Sequence, residues 1–337
     1  MKPKLLVIEL WGVGDLAIAT PFLRKASEQF DVTLLAKPYA LDMRRRFWPQ
    51  LRVIPFHAPW TAFDRKYRLY SWPWRVMFRS WKTLFGERFD VGLSARWDPR
   101  DHLLLMLTGA RTRMGFPRTG SQIFLTHPIT PADPAEHRYE NWRIIARALN
   151  LDLEPRNKIQ FPAVSGSRSI LLHTGAAQPV RVWPLERYRN LARRLRAKGL
   201  SVQVVCNADQ RDWWVKAGEA DVAAPQTIAA LLELIERAGL FLGNDSGPGH
   251  LAAFCGLPTF TLFGPQLPGW FAPLHPAAEY IEGKPCPFKP CSDYCRLPEP
   301  RCLWDVTEDE AWPRLEKFVE KHLPPASAAL ASTTPGQ

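Results

Sequence analysis

The chain has 337 residues, and its 44 Lys/Arg against 33 Asp/Glu leave a net charge of +11. That length suits about two domains, and 46% hydrophobic residues can fill two packed cores, which excludes a disordered chain, a collagen-like chain and a small disulfide scaffold. The excess charge is one-sided: residues 1–165 hold 26 Lys/Arg against 15 Asp/Glu, whereas residues 166–337 hold 18 of each. No apolar run reaches the roughly 18 residues of a membrane span. The opening M-K-P-K-L-L-V-I-E-L-W-G-V-G-D has too short an apolar stretch, and no A-x-A-type site, for a signal peptide. A cytosolic, soluble chain with one half drawn to something anionic is expected.

Leu5 to Leu10 is a short apolar run of the buried parallel-strand kind. A glycine turn and a helix to about Phe30 follow, then a second strand from Val32 to Ala36. Phe89 to Leu93 reads as a later strand and Tyr139 to Leu149 as a helix, and the small residues from Phe161 to Ser167 read as a linker. The pattern then restarts with a strand from Ser169 to His173, a turn from Thr174 to Ala177, and a helix from about Pro184 to Lys198 stopped by Gly199. Val202 to Val205, Leu240 to Leu242 and Thr259 to Phe263 are strands, and Ile228 to Ala238 and His250 to Cys255 are helices. Two blocks of alternating strands and helices predict two doubly wound α/β domains facing a central cleft. The boundaries expected are residues 1–165, 166–323 and a disordered Pro/Ala/Ser/Thr-rich tail, 324–337.

Gly243-Asn-Asp245-Ser246-Gly247-Pro-Gly249-His250 follows a strand and opens a helix. Free main-chain N–H groups and the helix dipole favour a phosphate there, and Ser246 and His250 can add donors. A plain turn capped by Asp245 or Ser246 would also explain the run. Arg181, just before Trp183-Pro184, carries a planar fork able to brace a diphosphate. Residues 41–82 hold ten Lys/Arg against Asp42 and Asp64, interleaved with large aromatics including Trp48, Trp60, Trp72, Trp74, Phe78 and Trp81. Aromatics among cations suit an anionic lipid-facing segment, with Arg65, Lys66 and Arg68 central to it. No nucleic-acid motif accompanies them, so nucleic acid is not expected as a partner. Cys286, Cys291, Cys295 and Cys302 cluster with spacings looser than most zinc sites, leaving structural zinc or reduced packing thiols open. No cofactor is otherwise required.

The segment N-D-S-G-P-G-H-L-A-A, with G-L-P-T-F-T-L-F-G-P shortly after, closely resembles the signature of glycosyltransferase family 9, the ADP-heptose:lipopolysaccharide heptosyltransferases and their relatives. The opening I-E-L-W-G-V-G-D-L-A-I-A-T-P-F-L-R and the Arg181-Val-Trp183-Pro184 segment look like two further motifs of that family, in the same order. The resemblance implies a GT-B fold and an inverting transfer from a nucleotide-diphosphate sugar to an anionic lipid-linked saccharide at the inner face of the cytoplasmic membrane. It implies Asp15 as the general base, Gly12 and Gly14 as the room a sugar needs, and Arg181, Asp245, Ser246, Gly247 and His250 as donor-binding residues. Gly12-x-Gly14-x-x-Ala17 also matches a dinucleotide fingerprint. Asp15 would there oppose the pyrophosphate, and the second strand ends in Ala36-Lys37-Pro38, without an acid to hold a ribose. Where family members carry hydroxyl residues, this chain has Ala176-Ala177, which leaves the sugar donor open. Heptose transfer from ADP-heptose to the lipopolysaccharide inner core is the leading expectation. Another nucleotide sugar or surface glycan, a GT-B sugar-nucleotide epimerase and a non-catalytic binding protein are the alternatives.

Overall fold

The computed structural model describes residues 1–62, 68–163, 167–291 and 293–323. The chain divides into two compact units, Met1–Lys158 and a second beginning at Ile159. The expected tail, 324–337, and residues 164–166 of the expected linker lie outside the described residues.

The first unit is built on six parallel strands: β1 Lys4–Glu9, β2 Asp31–Ala36, β3 Arg52–Pro55, β4 Val91–Ser94, β5 Thr112–Gly115 and β6 His127–Pro128, in the order β3-β2-β1-β4-β5-β6. The last five residues of β1 and of β2 are all buried, as strands covered on both faces must be. The single helix expected up to Phe30 is two helices, Val13–Ile18 and Thr20–Gln29. Pro21 has no N–H to continue the first, so it sits in the opening turn of the second. Leu6, Ile8, Phe56, Trp60, Phe89 and Leu105 form one core cluster, against which Trp72, Met77 and Trp81 pack.

The second unit carries β7 Ser169–His173, β8 Ser201–Val205, β9 Leu240–Asn244, β10 Thr259–Phe263 and β11 Ala278–Glu282. All its pairings are parallel, in the order β11-β10-β9-β7-β8. The helix Leu185–Ala197 ends as expected at Gly199, whose φ of 74° lets Leu200 N–H return to the Leu195 carbonyl at 3.3 Å. The helix expected from His250 starts three residues earlier, at Gly247. Pro248 explains this, because its fixed φ suits a first helical turn and no N–H is needed there. A further helix, Glu308–His322, was not expected, although Thr307 and Glu310 form its reciprocal cap.

Both sheets reverse direction once. In the first, the chain moves outward from β1 to β2 and β3 and then returns to β4 on the other side of β1. In the second, β8 and β9 flank β7 in the same way. Ligands of open parallel sheets bind beyond the carboxyl ends of the strands at such reversals. The loops after β1 and β4, and after β7 and β9, are therefore where a site belongs.

Candidate active site

In the first unit, the chain leaves β1 at Glu9 and re-enters a helix at Val13, with Gly12 as N-cap and Asp15 in the first turn. Asp15 Oδ2 accepts the Gly12 N–H at 3.1 Å, and Oδ1 accepts Arg96 Nη1 at 2.8 Å. Arg96 comes from the loop after β4, so this ion pair spans the sheet reversal. The guanidinium lies 4.5 Å from the centre of the Trp11 ring, and His102 Nε2 lies 3.1 Å from the Arg96 carbonyl. A methyl group on Gly12 would approach Asp15 Oδ2 at 3.2 Å, so this glycine leaves room for the carboxylate.

Beneath the pair, Glu9 is buried and accepts the Trp11 N–H at 3.2 Å. Burial pushes its pKa up to about 8; the Asp15 charge adds to the rise and the Arg96 charge opposes it. Asp101, which accepts the Ser94 hydroxyl at 3.3 Å, is pushed up to about 7, mainly by burial. Burial also lowers the pKa of Lys37, against the pull of Asp15 and Glu9, and brings Arg138 down to about 10. Asp15 is thus the carboxylate of this network that is partly open to solvent, with 22% of its side chain exposed.

In the second unit, Asn244 ends β9 and ties the site together. Its amide nitrogen donates to the Thr174 carbonyl at 2.8 Å, and its oxygen accepts the Trp183 N–H at 3.0 Å and the Tyr188 hydroxyl at 2.8 Å. The W-P segment is thereby fixed against the glycine loop. Ser246 caps the helix Gly247–Phe254 in extended backbone, its hydroxyl donating to the Asn244 carbonyl at 3.2 Å. Gly247 supplies the first helical N–H, and Pro248 has none to give. Asp245 and His250 are buried beside it. A methyl group on Gly175 would fall 2.0 Å from Asn207 Oδ1, so the turn after β7 needs glycine.

Arg181 is placed with Asp245, as the sequence grouping anticipated, at 3.4 Å from Nη1 to Oδ2. Its fork is also engaged elsewhere: Nε and Nη2 donate to the two carboxylate oxygens of Asp293, each at 2.7 Å. Asp293 was not anticipated, and neither were Arg96 and Glu9. Arg96 was within reach of sequence reasoning, since it stands just beyond a strand recognised at Phe89 to Leu93.

One expectation is revised. Trp48 and Trp60 are core residues, and Trp72 and Trp81 lean on the core, so the aromatics of residues 41–82 are divided between interior and surface. Arg68 is exposed beside the short turn Leu69–Ser71, whereas Arg65 and Lys66 lie outside the described residues. Cys286, Cys291, Cys295 and Cys302 do line one small cavity, with Phe288, Lys289 and Arg301. Among the described residues, however, no three His, Cys, Asp or Glu side chains are arranged to hold a metal ion, so structural zinc has no support in the geometry. Burial pushes the Cys302 thiol up to about 11.

Two parallel sheets, each with a reversal and a polar loop cluster at its carboxyl edge, are the architecture of GT-B glycosyltransferases. A glycosyltransferase family 9 protein from Veillonella parvula superposes with a TM-score of 0.75 at 17% identity, covering 95% of this chain and 98% of that one. Heptosyltransferase WaaC of E. coli, solved with ADP, gives 0.72 at 16% identity, covering 94% and 99%. By sequence, lipopolysaccharide heptosyltransferase 1 of Pseudomonas aeruginosa is 29% identical over 150 residues, 42% of either chain. The lipopolysaccharide core heptosyltransferase OpsX of Haemophilus influenzae is 22% identical over 299 residues, 80% of this chain and 82% of the relative. The family model for glycosyltransferase family 9 (heptosyltransferase) matches residues 77–298, and the chain belongs to that family. It is a glycosyltransferase of GT-B fold.

Proposed function

We propose that this enzyme transfers heptose from ADP-heptose to the inner core of lipopolysaccharide, with inversion at the anomeric carbon, at the inner face of the cytoplasmic membrane. The observation that carries the reading is the Asp15 carboxylate, held by Arg96 and the Gly12 N–H at the reversal of the first sheet. An inverting transfer is one in-line displacement. The acceptor hydroxyl attacks C1 from the face opposite the diphosphate, its proton passes to a base, and the C1–O bond to the nucleoside diphosphate breaks. Asp15 is the base in this scheme. Arg96 fixes one oxygen of the carboxylate, which keeps the group oriented through the reaction.

Negative charge builds on the departing diphosphate. The N-terminus of the helix Gly247–Phe254, with Ser246 as its cap, is suited to stabilise it, and Gly247 lets the phosphate approach the main chain. Asp245, His250 and Arg181 line the same loop. His250 belongs with the leaving group, which makes it a poor base for the attacking hydroxyl. Gly12 and Gly14 leave the acceptor sugar room at Asp15.

The wider family context supports this donor and acceptor, since the relatives matched are lipopolysaccharide heptosyltransferases. Ala176-Ala177 is the feature that favours a different nucleotide sugar. Incubating the purified protein with a panel of nucleotide sugars, with and without truncated lipopolysaccharide, separates the readings. Acceptor-dependent release of ADP from ADP-heptose is the expected result. Turnover with another nucleotide sugar alone, or an isomerised sugar formed without acceptor, would replace the proposal.

A further inference from the structure

The helix Trp74–Phe85 has two apolar faces, and one of them is already in use. Met77, Trp81 and Leu84 face the core cluster of the first unit, and Ser80 donates to the Pro55 carbonyl at 2.9 Å, which fastens that side to the end of β3. Trp74, Phe78, Trp81 and Phe85 are spaced four, three and four residues apart, so they form a second row along the helix. Three of the four are open to solvent: Trp74 is 52% exposed, Phe78 62% and Phe85 66%. The rings are held in place by one another. Phe78 and Phe85 lie 5.5 and 5.1 Å from the half-buried Trp81, and Trp74 lies 5.2 Å from Trp72, which rests against the core residue Trp60. The preceding turn continues the row with Leu69 at 58% and Tyr70 at 83% exposure.

An apolar row of this size left in water implies a cover. Its surroundings specify the kind. Residues 68–86 contain no Asp or Glu, and their four cations, Arg68, Arg75, Arg79 and Lys82, are all exposed. On the helix, Arg75, Arg79 and Lys82 fall to one side of the aromatic row. Rigid aromatic rings backed by a core, bordered by cations and free of acids, match the boundary between acyl chains and anionic headgroups. A second copy of the chain would set four cations against four cations, which disfavours self-association through this face.

We infer that the Trp74–Phe85 helix, with Leu69 and Tyr70, is the surface by which the enzyme lies on an anionic bilayer, the rings entering the interface and Arg68, Arg75, Arg79 and Lys82 meeting the headgroups. The inference rests on the proposed lipid-linked acceptor for its purpose, but its test does not.

The test is sedimentation of the full chain with vesicles of phosphatidylcholine alone or of phosphatidylcholine with phosphatidylglycerol. Wild type should pellet with the anionic vesicles at low salt and be released as salt rises. Phe78→Ser with Phe85→Ser should lower the partition coefficient at least about tenfold. Ile123→Ser, a change at an exposed apolar residue elsewhere in the same unit, should leave it unchanged. Circular dichroism melts establish that the variants are folded. With the acceptor embedded in vesicles the double variant should raise its KM, and with a delipidated acceptor saccharide it should behave as wild type. Equal binding to neutral and anionic vesicles, or a folded double variant that pellets like wild type, overturns the inference. So does a wild-type dimer that the double variant makes monomeric without any vesicle binding. Vesicle binding that follows these rules in a protein that transfers no heptose would sink the proposed function and leave the surface standing.

Discussion

Arg96 and Asp15 are 81 residues apart in the chain and meet at 2.8 Å across the reversal of the first sheet. Arg96 lies in the loop after β4 and Asp15 in the first helical turn after β1, so the parallel register between Leu5–Ile8 and Val91–Ser94 sets their distance. In the proposed transfer, Arg96 fixes where the carboxylate sits, and Asp15 supplies the oxygen that takes a proton.

Asp15→Asn keeps the size of the side chain and an oxygen for the Gly12 N–H, and removes the proton acceptor. It should lower kcat by about 10²–10⁴-fold and leave donor affinity near wild type. Steady-state kinetics with isothermal titration of the nucleotide sugar measure both. A folded variant retaining more than about a tenth of kcat, well short of that range, would remove Asp15 from the role.

Gly247→Val places a branched side chain at the first position of the helix Gly247–Phe254. A diphosphate held by that helix end should lose at least about tenfold in affinity, the usual effect of losing a hydrogen bond to a charged group. Thermal stability should be largely retained. Unchanged donor binding in the folded variant would move the diphosphate to another part of the unit.

Asp293→Ala strips the Arg181 fork of two hydrogen bonds of 2.7 Å each. Arg181 is 22% exposed on its side chain, so water makes up only part of the loss. A decrease of about 1–3 kcal/mol in unfolding free energy is expected, with a smaller decrease for Asp293→Asn. Urea unfolding with an unchanged midpoint and slope would mean that the bidentate pair contributes nothing to the fold.

Glu9 makes stability depend on pH in a set direction. Its pKa is raised from 4.5 to about 8 in the folded chain, chiefly by burial. Between those values the unfolded chain has already lost the proton that the folded chain keeps, so the folded state binds more protons and stability falls as pH rises. Below pH 4.5 both states are protonated and the penalty vanishes. Glu9→Gln should therefore melt higher than wild type at pH 8 and converge with it near pH 4.5. Parallel melting curves for the two proteins across that range would show that Glu9 is not held protonated by its surroundings.

Much of this was legible in the sequence, because the relevant signals are local. A short apolar run such as Leu5 to Leu10, closed by a glycine turn, reads as a buried strand, and Lys4–Glu9 is one. The glycines around Asp245 and Ser246 mark a main chain that must stay bare, and Gly199 must end its helix because it alone tolerates the left-handed turn there. Those features located Asp15 just beyond the carboxyl end of β1, and Asp245 and His250 just beyond that of β9. The partners could not be read in the same way. Charge patterning gives the sign of a region but not which acid meets which base, so Arg96 on Asp15 and Asp293 on Arg181 emerged only when strand register brought distant loops together. The same applies to the aromatics of residues 41–82. Trp48, Trp60, Trp74 and Phe78 are alike as a list of large apolar side chains, and only tertiary packing decides which are interior. Burial likewise raised Glu9, an ordinary acid at the end of a strand, because its environment is set by the elements that close over it and not by its neighbours in the chain.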